Sequence, residues 1–218
     1  MKAFHVISLA VLTVVCVSCG PSRRAQQLPY APQQVQQTMA PDEDVVTEWK
    51  KEGYKLTGAM STFTMRSCLD AHNKKVLENP ERFVPLEGTS EGNKMSDLTS
   101  ASLVAQNAAA INYAQRAGSV IEGGIARQFS NLAQSPQVTK LMGAYVQKVA
   151  QLIIPNMKES FSIYKEEENE YIVRTFFILD EDLAAKAREK AMQQALKETE
   201  MEQEFGNSVK MFTSEFVK

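Results

Sequence analysis

Residues 158–180 read Lys158-Glu159-Ser160-Phe161-Ser162-Ile163-Tyr164-Lys165-Glu166-Glu167-Glu168-Asn169-Glu170-Tyr171-Ile172-Val173-Arg174-Thr175-Phe176-Phe177-Ile178-Leu179-Asp180. Lys158–Lys165 and Glu170–Leu179 are β-rich runs, and the polar break Glu166-Glu167-Glu168-Asn169 between them predicts an antiparallel hairpin. In the second run Ile172, Phe176 and Ile178 alternate with Tyr171, Val173, Phe177 and Leu179, so both parities are apolar. Such a strand has to be covered on both faces, which predicts a place in the middle of its sheet. Asp180 then offers a side-chain oxygen to the first amides of a helix, with Glu181 and Asp182 favourably placed against its dipole. Leu183, Ala184, Ala187, Ala191 and Ala195 make the inward face of that helix.

Working outward from the hairpin, Ser135-Pro136 opens a helix whose apolar stripe is Val138, Leu141, Met142, Tyr145, Val149, Leu152 and Ile153, ended by Ile154-Pro155. Asp97–Ala117 predicts another, with Ser96 as N-cap, Gly118 as stop, and Ala101, Val104, Ala105, Ala108 and Ile111 at helical spacing. Val120–Leu132 is expected as a strand. Gly123-Gly124 would each cost a helix interior about 1 kcal/mol, and Ile121, Ile125 and Phe129 share one parity. Earlier in the chain, Tyr54–Met60 is expected as a short strand, and Ser61 as the cap of a helix to about Glu78 with Met65, Cys68, Leu69, His72 and Val76 on one face. Arg82–Ser90 is extended, and Pro85 restricts it to an edge because proline donates nothing to a ladder. The expected fold class is α+β: an antiparallel or mixed sheet packed by about four helices, forming a single domain over residues 42–205, with 206–218 as a C-terminal tail.

The amino terminus sets the compartment. Lys2 is a positive n-region, Phe4–Val17 a mostly apolar stretch too short to span a bilayer comfortably, and Ser18 and Gly20 are small residues flanking Cys19. Residues 1–18 are expected as a lipoprotein signal peptide and Cys19 as the lipid attachment site, where a thiol at an exposed junction takes a diacylglycerol thioether. The alternative is an ordinary secretory signal cut near Ser18 or Gly20, without lipid. Each buried acyl CH₂ contributes about 0.8 kcal/mol, so two or three chains anchor stably where one would be marginal. Residues 20–41 contain Pro21, Pro29, Pro32 and Pro41 with six glutamines, a composition expected to stay disordered as a tether. Fully extended, that tether spans about 65 Å.

Removing residues 1–18 takes one charged residue, Lys2, and moves the formal net charge from −2 to −3. With no basic excess, nucleic acid is not an expected partner. Cys16 leaves with the signal and Cys19 is lipidated, so Cys68 has no intramolecular disulfide partner in the mature chain.

The segments Phe83-Val84-Pro85-Leu86-Glu87-Gly88-Thr89-Ser90, Ala105-Gln106-Asn107-Ala108-Ala109-Ala110 and Tyr171-Ile172-Val173-Arg174-Thr175-Phe176-Phe177, in that order over residues 50–200, resemble bacterial lipoproteins of the Lpp-twenty type and related lipoproteins of the Bacteroidota. The junction at Cys19 is similar to their lipobox, with Cys16 where leucine is usual. The resemblance implies an envelope lipoprotein and carries over no catalytic residue. Surface-displayed lipoproteins of that phylum often carry acidic residues just after the lipidated cysteine. Pro21-Ser22-Arg23-Arg24 stands there instead, which implies outer-membrane attachment facing the periplasm.

Four constellations could carry chemistry. Gly88-Thr89-Ser90-Glu91-Gly92 matches the G-x-S-x-G nucleophile elbow, but in that fold the histidine follows the serine, and here His72 precedes it. Cys68 and His72, four apart on one helix, have the spacing of a thiolate–imidazole pair or of two metal ligands; a buried thiol beside a half-buried imidazole is the expectation. Glu166-Glu167-Glu168 and Asp180-Glu181-Asp182 lack the spaced oxygens and central glycine of a calcium loop and are expected as a hairpin tip and a helix start. Lys186–Glu204 is charged and helical, the composition of a partner-binding or coiled-coil helix, but without sustained heptads a solvated face is the expectation. No phosphate loop or dinucleotide fingerprint occurs, so no cofactor or metal is expected. These features predict a non-enzymatic protein, attached to the membrane by its lipid and working by binding another envelope protein or by structural support. A periplasmic enzyme with a carboxylate-based site is the alternative.

Overall fold

A computed structural model describes residues 42–58, 63–128 and 135–200. The elements run α1 (Asp42–Lys51), β1 (Lys55–Leu56), α2 (Met65–Glu78), β2 (Phe83–Thr89), α3 (Leu98–Gln128), α4 (Pro136–Ile153), a 3₁₀ turn (Ile154–Asn156), β3 (Met157–Glu167), β4 (Glu170–Asp180) and α5 (Glu181–Glu198). The fold is α+β, with four strands in the order β1-β3-β4-β2, every pair antiparallel.

The hairpin forms where its sequence places it. Glu167 pairs with Glu170, leaving Glu168 and Asn169 as a two-residue turn at φ 55° and 66°. Positive φ at both central residues lets the turn follow the right-handed twist of its strands. β4 lies between β3 and β2 and buries both faces. Ile172 and Phe176 meet Trp49 of α1 and Met65 and Leu69 of α2, while Phe177 and Leu179 join the core of α3, α4 and α5. One residue of β3 has no counterpart: the register shifts between Glu159 and Phe161. That bulge turns Met157 toward the α3–α5 core and Phe161 toward the α1–α2 core, although four residues apart they would otherwise share a face.

β2 is an edge strand, as Pro85 requires. α3 crosses it closely, because a Cβ on Gly88 would stand 1.8 Å from the carbonyl oxygen of Ala105. The small buried face Ala101, Ala105 and Ala109 permits that approach. Ser135 caps α4 by accepting the Val138 amide, and Asp180 caps α5 by accepting the Asp182 amide.

Several expectations are corrected. Gly118 is no stop and Val120–Leu132 is not a strand: α3 continues to Gln128, and residues 129–132 lie outside the described residues. Ile121 and Ile125, four apart, satisfy a strand's parity and a helix's turn equally, and burial against α4 decides for the helix. Gly118 is instead a contact point, since a Cβ there would stand 2.6 Å from Val146 Cγ2. The cap of α3 is Asp97, whose Oδ1 accepts the Ser100 amide at 2.8 Å, rather than Ser96. Thr64 caps α2, in a reciprocal box with Ser67; Ser61 lies outside the described residues. The strand expected over Tyr54–Met60 is only Lys55–Leu56 among the described residues, and α1 is a helix the sequence reading did not place. Ile111 and Leu183, expected inward, are exposed.

Candidate functional site

Cys19, the signal peptide 1–18, the tether 19–41 and the tail 206–218 lie outside the described residues. Each remaining candidate has a position. Ser90 is fully buried, and its backbone amide donates to the Val173 carbonyl while its hydroxyl accepts the Val173 amide at 2.9 Å. It therefore extends the β2–β4 ladder by one residue. Gly88 is required by the crossing of α3, so G-x-S-x-G here is a packing motif rather than a nucleophile elbow.

His72 is buried on α2, with Nδ1 3.0 Å from the hydroxyl of Ser160. Ser160 is the residue left over at the β3 bulge, so the bulge aims that hydroxyl at the helix. The imidazole stands edge-on to Phe161 and Phe176, which stack at 4.4 Å, with Trp49 tilted against both. Loss of water holds its pKa below the ordinary 6.5. Cys68, partly buried one turn before His72 on α2, has its thiol pKa raised by burial, the opposite of an activated thiolate.

Glu167 of the first acidic run and Asp180 and Glu181 of the second are paired with cations. Glu167 contacts Lys165 at 2.7 Å and Lys94 at 3.0 Å, which hold its carboxyl below the usual range. Asp180 meets Arg82 at 2.9 Å and is lowered likewise. Glu181 meets Arg188 at 2.5 Å. Among the described residues no three His, Cys, Asp or Glu side chains gather where they could hold a metal ion. Tyr54, nearly buried, lies under Lys165 and Arg174, 5.2 and 5.6 Å from its ring centre. Burial raises its pKa, and the two cations oppose that rise.

Two features were missed in the sequence. Arg188 belongs to the helix expected as a solvated face, yet it is 2% exposed and donates to the Tyr113 hydroxyl as well as to Glu181. The legible signal was Glu181 and Arg188 seven apart, two helical turns on one face. The second is a groove of about 400 Å³ between α3 and α4, whose walls include Asn107, Ile111, Val146, Gln147, Ala150 and Ile154 and, among the described residues, no charged one. Another concavity, about 430 Å³, lies along the exposed side of α2 at Asp70, Asn73, Lys74, Leu77 and Glu78 and has a single helix for a wall. Among the described residues no helix is long and apolar enough to cross a membrane. No protein-family model, curated protein or solved structure matches the chain.

Proposed function

We propose that the chain is a lipid-anchored cell-envelope protein, held through Cys19 at the outer membrane and facing the periplasm, with a non-enzymatic binding or structural role. The observation behind the non-enzymatic part is that several of the candidate catalytic groups are engaged in structural contacts. The Ser90 hydroxyl completes a ladder, His72 faces Ser160 among aromatic rings, and Glu167, Asp180 and Glu181 are bound to cations. The groove between α3 and α4 is apolar and uncharged, a surface suited to contact rather than to proton transfer. Anchorage rests on Lys2, the apolar run Phe4–Val17 and small residues around Cys19, and the Lpp-twenty resemblance supports the same compartment.

Lipid labelling tests the anchor. Cys19→Ala loses incorporation of labelled fatty acid and leaves the membrane fraction, and a variant that still takes up label refutes the assignment. Crosslinking in intact envelopes, followed by capture of the anchored protein, tests the role: a reproducible envelope partner is expected, and none across repeated captures counts against binding.

A further inference from the structure

Residues 98–115 of α3 run for about five turns without a charged side chain, in a chain that is 23% charged. A helix covered all round could be built that way, but this one is open to solvent along Leu103, Asn107 and Ile111, which stand four apart on one face. Leu103 and Ile111 are 55% and 46% exposed, unusual for large apolar side chains. Asn107 and Ile111 also line the groove against α4, whose other wall carries Val146, Ala150 and Ile154 with the amides of Gln147 and Gln151. Among the described residues no charge borders that groove.

These residues limit what can cover the face. A covering surface has to bury Leu103 and Ile111 against apolar groups, and it can bring no charge, since no described residue of the groove would pair with one. A second copy of the same face meets both conditions. In a twofold pair each residue near the axis meets its own counterpart, so a lysine or glutamate there would repel itself. A side-chain amide carries donors and an acceptor and pairs with its own copy. Asn107 is such a residue, exposed in the middle of the row.

The spacing fixes the register. Asn107 is the midpoint of Leu103 and Ile111, so two α3 helices laid antiparallel about a twofold axis at Asn107 set Leu103 of each copy opposite Ile111 of the other, at the mouth of its α3–α4 groove. The two Asn107 amides then meet at the axis. The uncharged stretch is about 27 Å long, and α3 with α4 presents a breadth of about 20 Å. That footprint, about 500 Å² a copy, is below the ~800 Å² of a standard interface, so the pair is expected at concentrations on the order of micromolar and above.

We infer that the protein pairs with a second copy of itself through α3, antiparallel about Asn107, with Leu103 of each copy seated beside Ile111 in the other's α3–α4 groove. The α1–α2 layer packs on the opposite face of the sheet and takes no part. This pairing does not depend on the anchor at Cys19.

Sedimentation velocity of the purified full-length protein from about 1 to about 500 µM, a range that brackets an interface of this size, is expected to show a monomer giving way to a dimer. Leu103→Asp and Ile111→Asp, both at exposed positions, should each weaken the dimer on the order of tenfold or more while leaving the urea midpoint of the dilute protein unchanged. Mild oxidation reads the register. Asn107→Cys should give a disulfide-linked dimer well above the parent chain, whereas Gln115→Cys, exposed on the same helix but about 24 Å from its own counterpart in this pairing, should not. A monomer at every concentration overturns the inference and leaves the face to a different protein. A dimer that survives both aspartate substitutions places the contact elsewhere and overturns it too, as does Gln115→Cys crosslinking as fast as Asn107→Cys.

Discussion

Gly88 on β2 and Ala105 on α3 approach so closely that a Cβ on the glycine would stand 1.8 Å from the alanine carbonyl oxygen and 2.9 Å from the Ala109 amide nitrogen. Backbone cannot swing aside as a flexible side chain can, so Gly88→Ala has to push helix and strand apart. Overpacking costs typically 1–3 kcal/mol, and a clash with backbone belongs at about 3. Urea denaturation should show that loss. Gly92→Ala, with nothing within 4 Å of the added methyl, should stay within about 0.5 kcal/mol of the parent.

His72 links stability to acidity. Its pKa is lowered in the folded protein by burial, while the unfolded chain titrates near the ordinary 6.5. Below that pH the unfolded state takes up the proton more readily, so stability falls as pH drops through 6.5 toward the folded value, and is unaffected by this group well above it. His72→Gln keeps a hydrogen-bonding partner for Ser160 and removes the titration. The loss of unfolding free energy between pH 7.5 and 5.5 should be smaller in the variant than in the parent. Equal losses would show that His72 does not carry the acid response.

Arg188 is buried between α3 and α5, and removing its partner should cost more than removing the arginine with an apolar replacement. Glu181→Ala removes this carboxylate from the buried guanidinium and should cost on the order of 2 kcal/mol, below the 3–5 of a fully buried pair because Glu181 is 25% exposed. Arg188→Met keeps much of the volume and removes the charge, so its loss should be smaller. The ranking is read from denaturant midpoints, and the reverse order would mean that packing of the arginine stem dominates.

The Cys68 thiol should label slowly with a maleimide or disulfide reagent at neutral pH, because it is partly buried and its pKa is raised. Denaturant should bring the rate to that of a peptide thiol. Fast labelling of the folded protein would reopen the thiolate–imidazole reading.

The hairpin turn has room for improvement. Glu168 and Asn169 hold φ values of 55° and 66°, which asparagine and glycine adopt with less strain than glutamate. The double change Glu168→Asn with Asn169→Gly should raise stability by about 0.5–1 kcal/mol, seen as a higher melting temperature.

Much of the fold was legible where a single physical cause acts locally. Apolar residues on both parities of Tyr171–Leu179 could only mean a covered strand, Pro85 could only sit at an edge, and Ser135 and Asp180 are caps whatever lies around them. The errors fell where two structures share one spacing, or where packing overrides propensity. Ile121 and Ile125 fit helix and strand alike, and three glycines inside α3 are tolerated because Ala117, Ile121 and Ile125 are buried around them. The candidate chemistry was readable only as residue types: Ser90 and His72 stand in the sequence as possible reactants, and their hydrogen bonds to Val173 and Ser160 bridge residues more than eighty positions apart.

By itself the sequence determined the α+β class, the hairpin with its central strand, and the apolar amino terminus with a cysteine at a small-residue junction, because alternation, capping and segment length are properties of neighbouring residues. Only the tertiary structure decided that Gly88 serves a helix crossing, that a bulge at Ser160 faces His72, that Arg188 is buried between Tyr113 and Glu181, and that α3 and α4 leave an uncharged groove. Each of these depends on which distant surfaces meet, and that is settled by the joint burial of the apolar faces rather than by any one segment.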